Sequence, residues 1–210
     1  LHVYRGDHVE SIHRGDIVVV DKFGEVLFEI GSKDKVTYWR SAAKPFQVMP
    51  LIERRGIEEF GLTLSEVAMM CASHGGETKH IGAVRSILKK IGLDESFLDC
   101  GKSRPMYEGA YRAMLRNGES FLEIHNPCSG KHAGMLALGV LMDLDLAGYI
   151  EKSHPIQKMM LKTIAKVTEM EEIEIHVAVD GCGVPVFGLP IYNMAKAYSK
   201  LALGEGVLRT

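Results

Sequence analysis

An α+β fold, with a largely antiparallel sheet packed on a helical group, is predicted from three features of the sequence. Strand-like segments cluster towards both ends, helical spacing fills the middle, and regular βαβ alternation is absent. Asp16–Asp21 and Val26–Ile30 are β-branched and apolar runs about a Lys22-Phe-Gly24 break, which predicts a hairpin. Val36–Arg40 reads as a strand that feeds, across Ser41, a helix over Ala42–Arg55 stopped by Gly56. Thr63-Leu-Ser-Glu66 has the capping-box pattern before an apolar run to Cys71, and Ile81, Val84, Leu88 and Ile91 keep helical spacing up to Gly92. A further helix is expected over Glu108–Arg116, before Asn117-Gly118, and a long one follows Cys128 through Met135, Leu138 and Leu141. Pro155 suits the first position of a helix carrying Ile156, Met160, Thr163 and Val167 along one side. Strands over Ile173–Val179 and Val184–Leu189 then flank Asp180-Gly-Cys-Gly183, and a last helix runs from about Tyr192 to Leu203.

With 46% hydrophobic and 25% charged residues, the chain has the composition of a folded globular protein. Its 210 residues are read as a single domain. Twenty-five basic and 27 acidic residues give a net charge of -2 and no basic footprint for nucleic acid, so a small neutral or zwitterionic partner fits better. No apolar stretch is long enough for a membrane span, and Leu1-His2-Val3-Tyr4-Arg5 lacks the apolar run of a secretory signal, so a cytoplasmic protein is expected. Cys71, Cys100, Cys128 and Cys182 are too sparse for a disulfide framework and read as reduced thiols or metal ligands. A start without methionine and an end at Leu208-Arg209-Thr210 suggest a fragment.

Four segments can carry chemistry. In Arg40-Ser41-Ala42-Ala43-Lys44-Pro45 the three-residue spacing puts Ser41 and Lys44 on one helix face, a nucleophile beside its base. The plain alternative is a serine cap with a solvated first-turn lysine. Cys71-Ala-Ser73-His74-Gly-Gly-Glu77 crowds a serine, a histidine and a carboxylate into a glycine-rich loop, where ligand contacts are a better reading than a self-contained triad. Asn126-Pro-Cys128-Ser-Gly-Lys131-His132-Ala-Gly134 repeats the three-residue spacing with a thiol and an amine. It is not a phosphate-binding loop, because its first glycine is missing and a histidine follows the lysine. Asp180-Gly-Cys182-Gly-Val-Pro185 is a tight turn able to push a thiol into a cavity. With Cys128 it could hold a soft metal such as zinc. The Ser-Asp-Asn and Lys-Thr-Gly elements of β-lactamases are missing.

In content and order these four segments resemble the asparaginase II family of thermolabile type. The resemblance implies hydrolysis of L-asparagine on a serine β-lactamase/glutaminase-like fold, with Ser41 and Lys44 as a first serine–lysine pair and Ser73 in a second. It also implies zinc held by Cys128, Lys131 and Cys182, and substrate contacts from Arg40, His74, Glu77, His132 and Asp180. The lysine expected to partner Ser73 lies in a later, glycine-rich segment that this sequence does not contain, so impaired activity is expected. A homodimer is the expected assembly, covering apolar surface left by that segment. The mechanism that follows holds the substrate α-carboxylate on Arg40 and its ammonium on an acid such as Glu77, while Ser41 attacks and Lys44 manages the proton. A glutaminase or other small-amide hydrolase differs by one methylene of substrate, worth only about 1–3 kcal/mol of discrimination, and remains open. So does a catalytically incomplete zinc-dependent amino-acid-binding protein.

Overall fold

A computed structural model describes residues 1–204, so the Leu208–Thr210 end lies outside the described residues. The chain is α+β, with short antiparallel strands and mostly helical segments between them. It divides into two compact units, Tyr38–Gly188 and a second made of Leu1–Thr37 with the segment from Leu189 onward.

In the second unit, β1 (His2–Arg5) and β2 (His8–Ile12) form a hairpin about Gly6, whose φ of 59° suits a residue without a side chain. Sequence reasoning had no strand here, because both strands are solvated and lack apolar alternation. The predicted hairpin forms over β3 (Ile17–Val20) and β4 (Val26–Ile30), with Asp21 Oδ1 accepting the Phe23 and Glu25 amides at the turn. The last helix, α8 (Ile191–Leu203), packs on β3 and ends at Gly204 in the left-handed region.

The larger unit is built around α6 (Ser129–Leu141), which is buried over its first eleven residues. Around it lie α1 (Lys44–Glu53), the short α2 (Gly56–Glu59), α3 (Leu64–Met70), α4 (Thr78–Lys90) and α7 (Pro155–Thr168), while α5 (Glu108–Asn117) lies toward the surface. The capping box forms as predicted, with Thr63 Oγ1 accepting the Glu66 amide and Glu66 returning the bond. Burial alone would raise the Glu66 pKa, but hydrogen bonds from Lys90, Thr63 and Ser86 hold it at about 2. Strand β7 (Pro185–Pro190) is central in a sheet of order β5-β7-β6, where β5 is Val36–Tyr38 and β6 is His176–Val179. Strand β6 starts three residues later than expected, because Glu172–Glu174 closes a 3-10 turn.

Two local departures matter for the site. The helix predicted from Ala42 is a 3-10 turn over Arg40–Ala43, and the α-helix begins at Lys44. Pro45 has no amide to donate to the Ser41 carbonyl four residues back, so Lys44 donates to it instead and the turn tightens. The second concerns the glycine-rich entry of α6. A Cβ on Gly130 would collide with the Met69 carbonyl of α3, so this glycine is what lets the two helices touch. Gly130→Ala is therefore expected to lower stability by about 1–3 kcal/mol through overpacking. Chemical denaturation checks it, and an unchanged midpoint would show that α3 moves aside freely.

Candidate active site

All the residues that converge here belong to the unit Tyr38–Gly188. Lys44, in the first turn of α1, is 1% exposed. Its Nζ donates to Ser73 Oγ at 2.8 Å and to the carbonyls of Ala72 at 3.0 Å and Pro127 at 3.3 Å. Burial lowers its pKa, and nearby Lys131 adds to the shift, while the Cys128 and Cys182 sulfurs oppose it. The amine is thereby moved toward the neutral form that a proton acceptor needs.

Ser73 follows the end of α3 and bridges the pair found in the sequence. Its hydroxyl lies 3.0 Å from Ser41 Oγ, so Ser41, Ser73 and Lys44 form one chain of hydrogen bonds. The spacing argument put Ser41 directly on Lys44. Here the lysine's side-chain partner is Ser73, because the 3-10 turn holds Ser41 at the surface while Lys44 turns into the interior. This chain opens into a cleft of about 350 Å³, lined among others by Arg40, Ser41, Ser73, Cys128, Asp180 and Cys182.

Arg40 adopts a φ of 50°, a costly conformation for a residue with a side chain and one that recurs at functional sites. Its guanidinium pairs with Asp180 Oδ1 at 3.0 Å, and the Gly181 amide donates to the same oxygen at 2.9 Å. The turn that carries Asp180 closes through the Gly183 amide on the Asp180 carbonyl, with Gly183 at φ 87°. Opposite charges therefore sit side by side at the cleft wall.

Cys128 immediately precedes α6 and Cys182 sits on the Asp180–Gly183 turn. Lys131 Nζ donates to Cys182 Sγ at 3.1 Å. The neighbouring Cys128 thiol is the largest influence pulling the Cys182 pKa down against burial, aided by His132 and Lys131, and the same pairing together with burial pushes Cys128 up.

The remaining residues singled out in the sequence do not line this cleft. His74 is buried, with Nε2 2.7 Å from Ser129 Oγ and Nδ1 accepting the Gly76 amide, and it fixes the loop to α6. Burial, then His80 and Lys44, lower its pKa to about 4, which keeps it neutral. Glu77 stands at the amino end of α4 without a side-chain capping bond and faces Lys79 and His80, and His132 is fully buried with Nδ1 2.6 Å from Tyr149 Oη. Conversely, Ser103 and Met106 line the cleft from a loop that no local pattern marked. The Gly101 carbonyl on Asn126 and the Tyr107 amide on the Gly75 carbonyl hold that loop in place.

Among the described residues, no group of three or more His, Cys, Asp or Glu side chains is placed to hold a metal ion. The available set is two thiols and an amine. Its donor chemistry suits a borderline cation such as zinc, with Lys131 Nζ 3.1 Å from Cys182 Sγ and Cys128 and Cys182 both lining the cleft. Among the described residues, no helix is long and apolar enough to cross a membrane.

A search of curated proteins by sequence returned no match. Residues 1–209 match the protein family described as L-asparaginase II, which spans all four motif segments and the cleft they form. By that match the chain belongs to the L-asparaginase II family, a family of amidohydrolases.

Proposed function

We propose that the chain hydrolyses L-asparagine to L-aspartate and ammonia with Ser41 as nucleophile. The observation that carries this reading is the Ser41–Ser73–Lys44 chain, which ends in a buried amine shifted toward neutrality. Arg40 and Asp180 offer one positive and one negative group, the complement of an amino acid's α-carboxylate and α-ammonium. Asp180 takes the place that Glu77 held in the sequence reading, since it is the acid on the cleft wall.

Ser41 Oγ attacks the side-chain amide carbon, its proton passes to Ser73 Oγ, and the Ser73 proton passes to Lys44 Nζ. Lys44 returns a proton through the same chain to the departing nitrogen as the C–N bond breaks. The resulting aspartyl ester is hydrolysed by water, which restores the Ser41 hydroxyl. Ser73 thus works as the link between nucleophile and base, without calling on a second lysine. The test is ammonia release from asparagine and from glutamine. Release from asparagine at the higher kcat/KM supports the reading, preference for glutamine transfers it to a glutaminase, and no release from either overturns it.

Zinc belongs to the same reading, held by Cys128, Lys131 and Cys182. When bound it supplies a fixed positive charge at the wall of the cleft. Lys131 ligates as the neutral amine, so occupancy falls in acid as protons compete. One zinc per chain is expected by elemental analysis, with loss in Cys182→Ser. Equal zinc in both proteins would remove Cys182 from the site.

The homodimer is proposed from the apolar groups left open on the smaller unit, including Phe23 at 74% and Leu27 at 67% exposure. Solution mass decides it, and a monomer at micromolar concentration overturns it.

A further inference from the structure

We propose that the loop from Gly101 to Tyr107 is a fixed wall of the cleft, seated on the glycine pair Gly75-Gly76, and that Met106 on it sets the length of substrate side chain the cleft accepts. The length selection rests on the asparagine-hydrolysis reading above; the seating of the loop does not.

The segment has no helix or strand of its own, so its shape comes from what it rests on. Asn126 Nδ2 donates to the Cys100 carbonyl at 2.7 Å and to the Gly101 carbonyl at 3.1 Å, which ties the start of the loop to the turn before α6. At the other end the Tyr107 amide donates to the Gly75 carbonyl at 2.9 Å, and the Tyr107 carbonyl accepts the Tyr111 amide as α5 begins. Between these ties Pro105 is buried against Gly76. A Cβ on Gly76 would lie 2.8 Å from the Pro105 Cβ, and its φ of 77° already disfavours a side chain. A Cβ on Gly75 would lie 3.0 Å from the Tyr107 Cβ. The two glycines are thus a socket for this loop. The same segment carries Ser73, so the loop is placed relative to the Ser41–Ser73–Lys44 chain.

Met106 stands between buried Pro105 and tethered Tyr107, so its backbone is fixed while its side chain, 67% exposed, is free to pack on a ligand. Among the described residues that line the cleft, it is the one with a long apolar side chain; Ser103, from the same loop, is small and polar. With Arg40 and Asp180 taking the charged α-groups and Ser41 taking the amide, the part of the substrate left for an apolar wall is its methylene chain. A thioether side chain suits that contact because it is flexible and polarizable, and the space it fills is denied to a second methylene.

Two readouts test this on the full chain. In hydrogen exchange the Tyr107 amide should be protected in the parent protein, and Gly76→Ala, which displaces Pro105, should speed its exchange at least about tenfold. Pro105→Gly, which empties the socket and leaves the glycine pair intact, should speed it as well. A parent amide that exchanges as fast as an open loop overturns the seating. Hydrolysis of asparagine and of glutamine gives the second readout. One methylene in an apolar pocket is worth about 10–200-fold, so Met106→Ala should shift the ratio of kcat/KM for the two amides toward glutamine by at least about tenfold. Met106→Leu, of similar volume, should keep the ratio within about threefold of the parent. Both variants should keep the parent's denaturation midpoint, since an exposed side chain carries little of the core. An unchanged ratio in Met106→Ala, or an equal shift in Met106→Leu, overturns the length selection. If the parent releases ammonia from neither amide, the hydrolysis reading fails by itself. The relative affinity for L-aspartate and L-glutamate in the parent and in Met106→Ala then decides the role of Met106, and equal ratios or no binding overturn it.

Discussion

Ser41→Ala should lower kcat for asparagine at least about 10³-fold, since loss of a nucleophile leaves only binding and electrostatic catalysis. Stability should move by no more than about 0.5 kcal/mol, because Ser41 is exposed on its 3-10 turn and, among the described residues, its hydroxyl bonds only to Ser73. Ser73→Ala keeps the nucleophile and breaks its link to Lys44, so the loss should be smaller, about 10²-fold, in the range of a general-base contribution. The two serines are 3.0 Å apart and both line the cleft, so activity alone does not separate their roles. Acid quenching during turnover, followed by peptide mass analysis, does. The aspartyl ester should be found on Ser41 in the parent, and on Ser41 but formed more slowly in Ser73→Ala. An ester on Ser73 would exchange the two roles, and full activity in Ser41→Ala would remove Ser41 from the chemistry.

Much of the architecture was legible in the sequence because helices obey local rules. The Thr63–Glu66 capping box, the buried positions Ile81, Val84 and Leu88 of α4, and Pro155 opening α7 all follow from spacing within one element. The hairpin of β1 and β2 was not legible, since neither face of it is buried and no alternation marks it. Within the site, the four segments were found, but the wiring among them was not. The Lys44–Ser73 bond joins residues 29 apart, and the Lys131–Cys182 contact residues 51 apart. Such pairs depend on how α1 sits against the loop after α3 and how α6 sits against the turn between β6 and β7, which no window along the chain encodes. Composition also hid which acid faces the cleft: Glu77 and Asp180 both sit beside glycines in promising loops, and only the turn that aims Asp180 at Arg40 separates them.

Lys44→Met should cost about 10²–10⁴-fold in kcat/KM, the span of a removed general base, and it should also change the shape of the pH profile. In the parent protein, activity should rise with pH as the buried amine loses its proton, with an apparent pKa below the 10.5 of an ordinary lysine. Residual activity in Lys44→Met should lack that limb. Stability carries the same group with a definite sign. The folded pKa is lowered, so between it and 10.5 the unfolded chain binds the proton and the folded chain does not, and stability rises with pH through that window. The gain is complete above 10.5 and lost as pH falls through the folded value. Lys44→Met removes this contribution, so its stability should vary less with pH across the same window. The substitution also strips a donor from the Ala72 and Pro127 carbonyls, a loss that does not depend on pH and offsets the whole curve downward. Urea denaturation at several pH values separates the two effects by slope and offset. An unchanged activity limb in Lys44→Met would assign the titration to another group, and retention of activity within about tenfold of the parent would end the case for Lys44 as the base.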